Sequence, residues 1–73
     1  MNKKYISIPT AIYTIGDSFL FTHKEYGMIM EAIYSYFFGG ENLETITDGM
    51  SKTLTDVTIC LVGMMEADGY EAC

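Results

Sequence analysis

The stretch "FTHKEYGMIMEAIYSYFFGG", residues 21–40, constrains the fold more than any other part of the chain. Thr22 and Glu25 stand at the spacing of a capping box, in which each side chain satisfies a backbone donor left free at a helix start. Phe21 before the cap and Tyr26 after it are placed for a hydrophobic staple. Tyr26, Ile29, Met30, Ile33 and Phe37 keep helical spacing, and Gly39–Gly40 end the run, so a helix over 22–38 is expected. Its other side carries Met28, Ala32, Tyr36 and Phe38, with only Glu31 and Ser35 as polar cover in the middle. A helix apolar nearly all round is buried on two sides, and in so small a chain the second side is expected to meet another molecule.

The remaining elements read more weakly. Tyr5, Ile6 and Ile8 before Pro9 suggest a short strand, because proline suits a strand end or a first helical position. A brief helix from about Pro9 to Ile15 would then stop at Gly16. Leu43, Ile46 and Met50 give a helix of two turns, starting at Glu41 or Asn42 and closing near Gly49. Thr53 and Asp56 repeat the capping-box spacing ahead of a stripe of Val57, Leu61, Met64 and Met65. Residues 57–63 are rich in β-branched side chains and could form a buried strand; the cap and the length favour helix. The expectation is a mainly α chain: a small helical bundle of helix-turn-helix type with a short N-terminal strand, one domain over residues 1–73.

This order of elements resembles the winged helix-turn-helix domains of phage and plasmid replication initiators and small bacterial regulators. The carriers are "YISIP", "HKEYGMIMEAIYSY", "LETITDGM", a turn near "SKT" and a helix closing on "MMEADGY". Met65, Glu66, Gly69 and Tyr70 occupy the places of that family's Leu-Glu-x-x-Gly-aromatic phrase. Residues 22–41 and the end "MEADGYE" are also similar to small prophage helical proteins related to replisome organisers. Both resemblances imply a mobile element, and neither supplies a catalytic residue.

Charge separates this chain from a DNA-binding member of the family. The net charge is −6, and Lys52 alone stands against seven acidic residues after residue 40, while the first 40 residues balance. A helix entering the major groove needs Arg, Lys, Asn or Gln at base edges and basic neighbours at the phosphates. Residues 53–73 contain none of these, Asp56 falls in the first turn of the helix that should approach DNA, and Cys73 precedes any wing hairpin. Direct nucleic-acid binding is therefore not expected.

Other functions find little support. His23, the single histidine, has no partner at a ligand or catalytic spacing and reads as structural or solvent-facing. No glycine falls in a phosphate-binding pattern, and Gly16, Gly39, Gly40, Gly49 and Gly69 read as helix ends and turns. No enzyme, cofactor or metal is expected. The longest uncharged run is twelve residues, 5–16, and is broken by Pro9, with nine each in Ala32–Gly40 and Val57–Met65, against about 20 for a membrane span. With two sparsely placed cysteines and no signal peptide, a cytoplasmic protein is expected, in the host cytoplasm if phage-encoded.

Hydrophobic residues make up 49% of the chain, more than a core of 73 residues readily hides, which points to a protein partner. The expected contact set is Glu41, Glu44, Asp48 and Asp56 with Tyr36, Phe38 and Tyr70; Tyr26 and Tyr34 are expected to pack internally, and most methionines to fill the core. Glu41, Glu44 and Asp48 share one helical face if that helix begins early enough. The strip is either a solvated face or a site that occupies a basic groove. The functional expectation is a small acidic interaction module that covers a basic, nucleic-acid-binding surface of a host protein, as an anti-CRISPR inhibitor would. The alternatives are a helix-turn-helix DNA-binding regulator working as a homodimer through the back of helix 22–38, and a structural homo-oligomer.

Overall fold

The structure is a computed structural model and describes residues 11–69. The expected strand at "YISIP", Tyr70, Lys3, Lys4 and Cys73 lie outside the described residues. Within them the chain is mainly α, with four helices: α1 (Ala11–Phe19), α2 (His23–Gly39), α3 (Leu43–Ile46) and α4 (Lys52–Ala67). Helices α2 and α4 pack together at the centre, with α1 packed on α4 and α3 docked on α2. The core joins Ile12 of α1 and Ile29, Ile33 and Phe37 of α2 to Leu54, Val57, Leu61, Val62 and Met65 of α4.

Helix α2 forms as its sequence dictates. The backbone N–H of Glu25 donates to Thr22 Oγ1 at 3.2 Å, and the N–H of Thr22 donates to Glu25 Oε1 at 2.9 Å, completing the capping box. Phe21 meets Tyr26 edge-on with ring centroids 5.9 Å apart, which is the staple. Gly40, at φ 71, ends the helix in the left-handed region. The inward face is rotated from the expected one, however. Ala32 is buried beside Ile29, Ile33 and Phe37, whereas Met30 is exposed.

Helix α1 does not stop at Gly16. Gly16 is buried inside the helix, and a Cβ there would overlap the ring of Tyr26. The glycine serves close approach of α2's first turn rather than a turn of its own. The helix ends instead at Phe19, with Leu20 at φ 56. The Phe21 N–H donates to the Gly16 carbonyl at 3.0 Å and the Leu20 N–H to the Asp17 carbonyl at 3.3 Å. That pair of bonds is a Schellman ending, with leucine where glycine is favoured.

Helix α3 is one turn rather than two. Asn42 caps it, accepting from the Thr45 N–H at 2.8 Å, and the Thr47 hydroxyl donates back to the Leu43 carbonyl at 2.7 Å. Such side-chain bonds to backbone compete with helix continuation, and the following Asp48–Gly49, with Gly49 at φ 80, turns the chain away. In α4 the cap is Ser51, accepting from the Leu54 N–H at 3.2 Å, in place of the Thr53 and Asp56 pair. Residues 57–63 are helical throughout. Burial of Leu54, Val57, Thr58, Leu61, Val62 and Met65 along one side outweighs the modest helix cost of the β-branched members. Thr58 is fully buried, and its hydroxyl donates to the Met50 sulfur at 3.6 Å.

Candidate interaction surface

The acidic residues come out as a scattered set rather than a strip on one helix. Glu41 precedes the cap of α3, Glu44 lies in its single turn, Asp48 lies in the turn beyond it, and Asp56 projects from α4; all four are exposed. The expected common helical face for Glu41, Glu44 and Asp48 is therefore absent, because α3 is too short to carry it.

The outward side of α4 presents Lys52, Asp56, Ile59, Cys60, Gly63 and Glu66, with Lys52 the one base among them. Ile59 is 43% exposed and Met64 lies on the same helix's margin. This face carries no Arg, Asn or Gln, the side chains that with Lys most often read base edges, and a single lysine at its start.

The aromatic expectations divide. Tyr36 is half-buried and donates its hydroxyl to Glu66 Oε2 at 3.1 Å, tying α2 to α4. Burial, followed by that hydrogen bond and the carboxylate's charge, raises the Tyr36 phenol above its ordinary value of 10.0. Tyr26 packs as expected, in contact with Tyr13 and Phe21. Burial first, then the neighbouring Asp17 carboxylate, raises its phenol too. Tyr34 corrects the reading: expected inside, it is 62% exposed. It rests against half-buried Phe38, ring centroids 4.8 Å apart, one turn further along α2.

The methionines also divide. Met65 is buried and Met28 and Met50 pack against the core, while Met30 and Met64 face outward. Two apolar features escaped the sequence reading. One is the corner formed by Phe19 and Leu20, the latter 85% exposed. The other is Gly27, exposed within α2 with no described residue within 4 Å of where a Cβ would stand. "SFLF" just before a capping box was the available signal for the first, and a glycine inside a well-capped helix for the second.

His23 is exposed at the first residue of α2. Among the described residues no group of three or more His, Cys, Asp or Glu side chains is arranged to hold a metal ion. No helix among them is long and apolar enough to cross a membrane. Comparison with protein-family models, with curated proteins and with solved structures found no match in any of the three.

Proposed function

We propose that the protein is an acidic protein-interaction module of a mobile element, acting by covering a basic, nucleic-acid-binding surface of a host protein such as a defence nuclease. The observation that carries this reading is the outward side of α4, where a DNA reader would display its bases and where Asp56, Ile59 and Glu66 stand with a single lysine. Exposed Glu44 and Asp48 around α3 add negative charge on the same half of the chain. Such charge raises the association rate with a basic partner and repels phosphate. Ile59 and Met64 supply apolar area for the contact. Tyr36 is less available for it, since its hydroxyl is held by Glu66, and Phe38 belongs to α2 rather than to this face of α4.

Two measurements test the reading. Anisotropy of a labelled duplex at low salt is expected to stay flat up to high micromolar protein. A host protein retained by the wild-type chain is expected to be competed off by that duplex and lost with the triple variant Glu44→Lys/Asp48→Lys/Asp56→Lys. Direct, salt-sensitive duplex binding would favour the alternative, a homodimeric DNA-binding regulator, instead. Retention of the partner by the triple variant would remove the electrostatic mechanism.

A further inference from the structure

We infer that the outer face of α2 is a self-complementary docking surface for a second copy of this chain, with the two α2 helices antiparallel about a two-fold axis. Gly27, Glu31, Tyr34 and Phe38 follow one another at spacings of four, three and four along α2. That is the spacing of a helix seam that meets another helix. All four lie on the side away from the core of Ile29, Ile33 and Phe37; the first three are exposed and Phe38 is half-buried.

An antiparallel arrangement that sets Phe38 against Gly27 of the second copy also sets Glu31 against Tyr34. The Phe38 ring then enters the notch left by the missing side chain, where no described residue stands within 4 Å of a Cβ position. Gly27 lowers the stability of an exposed helix interior and has no packing reason among the described residues, which leaves the notch open to what enters it. The carboxylate of Glu31 becomes an acceptor opposite the Tyr34 hydroxyl. Because the two-fold repeats every contact, each copy supplies both the knob and the hole.

Charge selects this orientation and this partner. The N-terminal end of α2 carries His23 and Lys24, and the C-terminal end leads into Glu41 and Glu44. Helix α2 ends at Gly39 and the chain turns at Gly40, so the antiparallel arrangement brings Lys24 to the end of the second copy's α2, where Glu41 begins the acidic segment, with the helix dipoles opposed. A parallel pair would set glycine on glycine, ring on ring and acid on acid. The two acidic α3 regions are held apart by the length of the 17-residue α2, roughly 25 Å, well beyond the screening length of about 8–10 Å at ordinary ionic strength. The surface is separate from the α4 face proposed to meet a basic partner, and neither reading depends on the other.

Sedimentation equilibrium of the full chain under reducing conditions, which exclude a Cys60 disulfide, tests the pairing. A reversible dimer is expected. Gly27→Gln fills the notch with a better helix former, so its dimer dissociation constant rises at least tenfold while its melting temperature at low concentration holds or increases. Lys24→Glu weakens the dimer several-fold, and Lys24→Glu/Glu41→Lys restores it. A wild-type chain that stays monomeric at millimolar concentration overturns the inference. A dimer unmoved by Gly27→Gln overturns it as well, and a double reversal weaker than Lys24→Glu alone overturns the antiparallel register.

Discussion

Glycine-to-alanine substitution should change sign between Gly16 and Gly63, although both are interior helix positions. Alanine improves helix propensity by up to about 1 kcal/mol at either site. At Gly63 a Cβ meets none of the described residues within 4 Å, so the whole gain is realised and the melting temperature should rise by about 4–8 °C for a domain of this size. At Gly16 the Cβ overlaps the Tyr26 ring, which is held between Tyr13 and Phe21 and cannot withdraw freely. Overpacking of this kind costs about 1–3 kcal/mol, leaving a net loss of about 0–2 kcal/mol after the propensity gain. The two variants should therefore differ by about 1–3 kcal/mol, read by circular dichroism in thermal and urea unfolding at low micromolar protein, where association contributes least. In a Tyr26→Ala background the penalty at Gly16 should vanish, which isolates the coupling between the two positions. Equal stabilisation by Gly16→Ala and Gly63→Ala would refute the packing of α1 on the first turn of α2.

Two further outcomes follow from local geometry. Leu20 holds φ 56 at 85% exposure, so Leu20→Gly should relieve strain and raise stability by about 1 kcal/mol in urea unfolding; a decrease would mean that the leucine side chain has a stabilising contact. The raised phenol of Tyr36 means that the folded state holds its proton more tightly than the unfolded state does. Its contribution is therefore fully present below pH 10.0 and is lost as pH rises through the higher folded value. Stability against urea should therefore fall from pH 10.0 up to the folded value, and less steeply in Tyr36→Phe; identical alkaline slopes would dissociate the phenol from Glu66.

Much of α2 was legible in the sequence because its determinants are local. The Thr22–Glu25 box, the Phe21–Tyr26 staple and the closing Gly40 act over a few residues, and each stands where the spacing placed it. The helical outcome for residues 57–63 also followed from length and a nearby cap, although the cap itself is Ser51. The acidic imbalance after residue 40 and the absence of bases from residue 53 onward were plain from the sequence alone.

What only the tertiary structure decided is how each helix is turned about its axis and how far it runs. Ala32 faces the core and Met30 the solvent because α4 packs on that side of α2, a choice the apolar pattern leaves open when nearly every face of the helix is apolar. Tyr34 is exposed for the same reason. Gly16 became a point of close approach rather than a helix end because the Tyr26 ring occupies the place of its Cβ, an event ten residues away in sequence. The acidic residues were dispersed because Thr47 and Gly49 stopped α3 after one turn, so charge that spacing alone would align is spread over a cap, a turn and a second helix. Capping and turn preferences are written in short stretches of chain, whereas burial is a competition among all the elements and is settled only when they pack together.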